Sequence, residues 1–437
     1  MLTLVLVVIG VVLLIIIKVP IGFAFGAGSL VLILLYNLKL GWVIPSTFSL
    51  LTSFPLMAIP LFVFLGLLMR YSGLATRLID LVNVIVGRIR GGLGLVVVWG
   101  CGLFGAISGS AASALATFGT VMFPRLVEEG YPRGYSVAVI VCSAMLALFI
   151  PPSMDMIMFG FAGDISIAGC FLATVGPGIL IIIFSSVINT IMSRRFQVRA
   201  LPKVRFSAWI GELGHYGKRA SLVLILPVIV LGGIYGGIFT PTEAGAAGSV
   251  FALLIALAVY RSMTRSELGK AMLHAVSIVG MIVALLFFLF VISRITIWQN
   301  IPQQLIALLV SISDNLMIQL LMFDILLIAM GMIIDDNSGS ILSGILLLPA
   351  ATKLGINPYH FAGITMCGLG LGLLTPPVAT ALYEAGAIME TPLKDYFKYC
   401  IPFMLFSLLP AFLITTYVPE IATFLPNLVL GTGLGRW

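Results

Sequence analysis

This sequence predicts an all-α polytopic membrane protein made of two inverted repeats, each holding a re-entrant helical hairpin and a proline-broken helix. Three observations carry that prediction: a composition poor in charge, an ordered set of glycines and prolines that recurs at a nearly constant offset, and two Pro-Pro pairs inside apolar runs. Of the 437 residues, 61% are hydrophobic and 9% charged. A soluble chain of this length needs more charge to cover its surface, so the expected solvent is a lipid bilayer.

Apolar stretches of spanning character lie at 2–17, 21–36, 57–69, 171–193, 220–239, 244–260, 272–293 and 400–418. The first lacks a basic n-region and a small-residue cleavage site, so it is expected to be a retained helix rather than a signal peptide. The stretch 75–91 is amphipathic, with Arg77, Asp80, Arg88 and Arg90 bounding apolar residues, and reads as a helix along the membrane interface. Its counterpart is 301–315. Both read as scaffold.

The duplication follows from offsets. Pro151-Pro152 and Pro376-Pro377 are 225 residues apart, and the same offset superposes Pro124 on Pro349, Gly130 on Gly355 and Pro177 on Pro402. Pro132 and Pro358 fall one residue off that register. Gly28-Ser29 matches Gly248-Ser249 at 220, Pro20 lies near Pro241, and Ser108-Gly109-Ser110 matches Ser338-Gly339-Ser340 at 230. The repeats are therefore expected at 1–200 and 219–437, joined by a basic cytoplasmic linker at 201–218. With five crossings and one hairpin per repeat, the second repeat is inverted. An external N-terminus puts all but Lys39, Arg294, Lys353 and Arg436 of the 23 basic residues on the cytoplasmic side. The positive-inside rule then places both termini outside.

Each repeat contains a break. A proline at position i leaves the carbonyl of i−4 without its helical donor, so Pro151 and Pro152 free Ala147 and Leu148, and Pro376 and Pro377 free Gly372 and Leu373. Unpaired carbonyls persist at membrane depth only where protein, water or a cation satisfies them. The broken helices are expected at about 135–162 and 359–387. A hairpin at about 92–124 turns at Ser108-Gly109-Ser110, where Ser108 or Ser110 caps the second half-helix and its amides point inward. The second hairpin, at about 317–350, carries Asp335, Asp336 and Asn337 before Ser338-Gly339-Ser340. Carboxylates at this depth are functional candidates; otherwise one caps a helix and the other faces an aqueous space. Asp155, three residues past the first break, either lines the same cavity or is solvated. Oxygen ligands and freed carbonyls suit a hard cation such as Na⁺, and half-helix N-termini suit an anionic group of a solute.

Other chemistries lack support. Cys101, Cys142, Cys170, Cys367 and Cys400 show no metal spacing, and His215, His274 and His360 are isolated. The net charge of +7 reports topology rather than nucleic-acid binding. No GxxxxGK[ST] stretch points to ATP, and no nucleophile–base pairing or HExxH motif points to an enzyme. Paired inverted hairpins favour alternating access over an open channel.

The strings FGAISGSAASALATFG, MFPRLVEEGYPRGYSVAV, IPPS, GMIIDDNSGS, LLLPAATKLGINPYHFAGI and LLTPPV resemble the large membrane subunit of tripartite ATP-independent periplasmic (TRAP) transporters, over almost the whole chain. The resemblance implies an elevator-type ion-transporter fold and sodium-driven uptake of an organic acid across the inner membrane. It also implies a periplasmic substrate-binding protein and a small four-helix membrane subunit as partners. Carried over residue by residue, it implies sodium ligands among Ser108, Gly109, Ser110, Pro151, Asp335, Asp336, Ser338, Gly339, Gly372 and Thr375. Substrate contacts are implied at Ser108, Ser110, Asp155, Asn337 and Ser340. The chain departs from the family pattern at Asp155, where an apolar residue or proline is usual, at Ala379, and in the polar run DDNSGS. The alternative is a stand-alone sodium/organic-anion symporter that needs no binding protein.

Overall fold

The computed structural model describes residues 2–17, 19–89, 91–196, 198 and 205–431. Lys18, Arg90, Arg199, Lys203 and Arg436, which enter the charge argument, lie outside these residues. Every regular element among the described residues is helical. The first repeat opens with α1 (Leu2–Ile16), α2 (Ile21–Leu35), α3 (Leu40–Leu51), α4 (Ala58–Tyr71) and α5 (Leu74–Val86). It continues with α6 (Gly92–Ser108), α7 (Ala111–Glu128), α8 (Arg133–Ala144), α9 (Leu146–Phe149), α10 (Met154–Ala162) and α11 (Ile167–Ser193). The second repeat begins with α12 (Phe206–Tyr235), α13 (Pro241–Leu254), α14 (Arg265–Trp298), α15 (Ile301–Ile312) and α16 (Leu316–Ile333). Next, α17 (Asp336–Leu342) runs through a π turn into α18 (Leu348–Lys353), followed by α19 (Pro358–Gly372) and α20 (Thr380–Ile388). Finally α21 (Leu393–Phe403) runs through another π turn into α22 (Leu409–Tyr417), and α23 (Glu420–Leu430) is the last helix described.

The repeat is a repeat of elements. The helices α7 and α17–α18 start 225 residues apart, at Ala111 and Asp336, and end 225 apart, at Glu128 and Lys353. The starts of α8 and α19 are also 225 apart, and those of α10 and α20, like those of α11 and α21, are 226 apart. Where the first repeat has α3, a short turn and α4, the second has the single 34-residue α14. Pro55 sits in that turn, and the residue 225 further on is Gly280. Proline cannot donate into a continuing helix, whereas glycine can, and so only the first repeat breaks here.

Two expectations need revision. The spans expected at 2–17 and 21–36 form helices of 15 residues each. That is roughly 22 Å of helical rise, short of the ~30 Å hydrocarbon core, because Pro20 stops one helix from running into the next. The linker expected at 201–218 is helical from Phe206 onward. Its first turns are held on the first repeat: Trp209 Nε1 donates to the Val84 carbonyl at 2.9 Å, and Arg88 pairs with Glu212 at 2.5 Å.

The elements gather in two groups. In the scaffold, α4 packs on α13 and α14, α14 on α2 and α3, and α12 on α5 and α13. The Gly-Ser matches noted in the sequence lie here and are related by the pseudo-twofold. Ser29 on α2 donates to the Phe288 carbonyl of α14 at 3.0 Å, and Ser249 on α13 donates to the Leu61 carbonyl of α4 at 2.9 Å. A Cβ on Gly28 would meet Val11, and one on Gly248 would meet Val230, so each glycine lets its helix lie close on the preceding one. In the second group α6 packs on α8 and α9, α16 on α19, and α11 on α6, α19 and α23. Its centre is tied by a Ser185–Ser407 hydroxyl contact of 2.8 Å between repeats.

Candidate functional site

The first hairpin turns at Gly109, which caps α6 in the left-handed region at φ +60. Its amide closes the helix onto the Gly105 carbonyl at 2.9 Å. Ser110 is the N-cap of α7, its hydroxyl accepting from the Ser113 amide at 3.4 Å. Of the two capping candidates Ser110 is the cap, and Ser108 ends α6 fully buried, with no hydrogen-bond partner for its Oγ. The tip rests on the first break. Met154 donates its amide to the Gly109 carbonyl at 3.1 Å, and a Cβ on Gly109 would collide with the Pro152 carbonyl. Pro151 lies in that break, where the helix bends by 44° and Ser153 caps α10 by accepting from the Met156 amide.

The second hairpin is built differently from its expected form. Its turn lies at Ile334 and Asp335, not at Ser338-Gly339-Ser340. Asp335 is the N-cap of α17, accepting from the Ser338 amide at 3.4 Å and from the Ser338 hydroxyl. The equivalent residues are Ser110 and Asp335, again 225 apart, and the matching Ser-Gly-Ser strings are not equivalent in space. The reason lies in the chemistry of capping, which needs a side-chain acceptor in extended backbone; a serine and an aspartate both supply one. Ser338, Gly339 and Ser340 are buried within the first turns of α17. Asp336 opens that helix, and its carboxylate accepts from Asn337 Nδ2 at 3.1 Å.

The second break is also partly satisfied from within. The Gly372 carbonyl accepts the Thr375 amide at 2.8 Å, so it is not left free. Thr375 Oγ1 donates to the Leu371 carbonyl at 2.8 Å. The Met332 carbonyl, near the end of α16, accepts from Val378 at 3.2 Å and Ala379 at 3.4 Å. Close packing of α16 on α19 depends on Gly331 and Gly372, where a Cβ on either would press on the other's backbone.

These contacts bring four half-helix N-termini together. The tip contact joins α7 and α10, and the Met332 carbonyl joins the second hairpin to α20. Across the repeats α10 packs on α17 and α20 on α7. Asp155 on α10 is buried, and Asp335 and Asp336 act on it electrostatically. Each N-terminus carries about half a positive charge and unpaired amides, so their meeting place suits anionic groups and the carboxylates that accompany them.

Sequence reasoning missed Ser153, whose place directly after the Pro-Pro pair was the signal for a cap. It also missed Ser343, seven residues after Asp336 and so on the same helical face, and Glu384, which acts electrostatically on Asp336. Asp324, buried on α16, accepts from Thr416 Oγ1 at 3.0 Å. No group of three or more His, Cys, Asp or Glu among the described residues converges closely enough to hold a metal. A cation at the tips would therefore draw on hydroxyl and carbonyl oxygens as well, and the unpartnered Ser108 Oγ fits that role.

Residues 8–421 match the family described as "Tripartite ATP-independent periplasmic transporter, DctM component". Among similar proteins is the C4-dicarboxylate TRAP transporter large permease protein DctM of Pseudomonas aeruginosa, 33% identical over 86% of this chain and 86% of that one. Another is the isethionate TRAP transporter permease protein DctMQ of Oleidesulfovibrio alaskensis, 30% identical over 89% of this chain and 60% of that one. Among solved structures, the YdaH transporter of Alcanivorax borkumensis superposes with a TM-score of 0.62 at 16% identity, covering 87% of this chain and 88% of that one. That is a likeness of fold.

Proposed function

The chain belongs to the tripartite ATP-independent periplasmic transporters as a DctM component, and on that premise we propose that it imports an organic acid driven by a sodium gradient. It is a transporter permease subunit, not an enzyme, and a multi-pass protein of the inner membrane. The family implies a periplasmic substrate-binding protein that supplies the solute and a small membrane subunit alongside.

One observation carries the reading: four half-helix N-termini from two inverted repeats meet beside buried oxygens that lack protein partners. Helix amides and dipoles suit the acid group of a solute. Hydroxyl, carboxylate and carbonyl oxygens suit Na⁺, which enters as a co-transported substrate. The relatives' names span a C4-dicarboxylate and isethionate at 33% and 30% identity, so kinship at this level supports an acid as the class and selects no single compound.

The hairpins and broken helices move together against the scaffold in this reading, as an elevator. The grouping of helices supports it, since hairpin and broken-helix elements pack on one another, α7 on α8, α6 on α8 and α9, α10 on α17, and α16 on α19. Uptake of a labelled organic acid into proteoliposomes carrying this chain, its small subunit and its binding protein should require external Na⁺. Undiminished uptake with choline in place of Na⁺ would sink the sodium coupling.

A further inference from the structure

We propose that the seam between α10 and α17 holds a further site for one Na⁺, bound between Asp155 of the first repeat and Ser340 of the second. It is distinct from the capping contacts of the two hairpin turns, and its choice of ion rests on the sodium reading above.

Asp155 is 1% exposed and its Oδ1 has no hydrogen-bond partner. The two helices run in the same direction along the seam. A Cβ on Gly344, in the π turn that continues α17, would lie 2.8 Å from the Phe159 carbonyl and 3.0 Å from Ala162 Cβ. One turn back from Gly344 is Ser340, and one turn back from Phe159 is Asp155. Residues four apart share a helix face, so the two side chains occupy the same level of the seam. Ser340 is fully buried, and its Oγ also lacks a partner. Asp336, one turn before Ser340 on that face, is the leading carboxylate acting on Asp155. Ser343 adds another buried hydroxyl without a partner.

Charge calls for the cation. The stretches 92–124, 135–162, 317–350 and 359–387 contain no lysine or arginine. Neither hairpin nor broken helix can then supply a basic side chain to Asp155, and its neighbours across the seam are acids. A buried carboxylate without a counter-charge is costly, and a hard cation with oxygen ligands removes that cost. A cation here would also link the first broken helix to the second hairpin, so binding would couple the repeats.

The test is equilibrium binding of ²²Na⁺ to the purified full chain in nanodiscs, with no solute and no partner protein present. Asp155→Asn, similar in shape, should bind one Na⁺ fewer per chain than wild type. Ser340→Ala, on the facing helix, should raise the midpoint of one binding phase about fivefold, the loss of one ligand hydroxyl. Cooperative unfolding in choline buffer checks that both variants are folded. Wild-type stoichiometry and midpoints in both variants would overturn the seam site while leaving sodium coupling intact. A wild type that binds no Na⁺ would overturn both.

Discussion

Gly109 and Gly339 look alike in sequence, each between two serines, yet they do different work. Gly109 holds a left-handed turn at φ +60 against the Pro152 carbonyl. Gly339 is helical, and a Cβ there would meet only the Leu369 side chain, at 2.7 Å. A left-handed conformation costs an L-residue roughly 1–2 kcal/mol before any collision is counted, whereas a leucine side chain can rotate. Gly109→Ala should therefore cut uptake by about tenfold or more, as that strain predicts, with the protein still inserted. Gly339→Ala should stay close to wild type. Initial rates of solute uptake, normalised to protein in the membrane, decide the matter. Equal losses would mean that the second Ser-Gly-Ser is a tip after all.

The proline break is the element on which hairpin contact depends. With Pro151 and Pro152 replaced by alanine, the carbonyls of Ala147 and Leu148 regain amide donors, and α9 can run on toward α10. The 44° bend should relax, and the Met154 amide would no longer reach the Gly109 carbonyl. Uptake by the double variant should fall to a small fraction of wild type, with expression and membrane insertion preserved. Wild-type uptake would show that the bend plays no part in transport. In the scaffold the same rule runs in reverse: α14 stays whole because its counterpart of Pro55 is a glycine, so the two repeats differ there.

For the whole molecule, we propose from the distribution of basic residues that both termini lie on the periplasmic side. Gly431→Cys, at the exposed end of α23, should react with an impermeant maleimide in cells whose outer membrane alone is permeabilised. Lys218→Cys, exposed on α12, should stay protected until the inner membrane is opened. The reverse pattern would invert the protein and exchange the sides from which the hairpins enter. Scaffold contacts such as Ser29 to Phe288 and Ser249 to Leu61 would be unaffected, since they follow from the twofold and not from its orientation.

Much of this architecture is written locally. An apolar chain must satisfy its backbone internally, a proline removes one donor wherever it stands, and a glycine permits a left-handed turn. The membrane class, both hairpins and both breaks could therefore be read from residues near one another in the chain, and the 225-residue duplication from matching one half against the other. The first hairpin's tip was legible for the same reason. The second tip was not, because Asp335 fills the role of Ser110 through its chemistry and not through its identity, while an identical Ser-Gly-Ser string five residues off that register drew the comparison away. Nor could the sequence bring Asp155 beside Asp336. Those residues lie on different repeats, and their meeting depends on how α10 settles against α17, a long-range packing that leaves no periodicity or spacing in either segment.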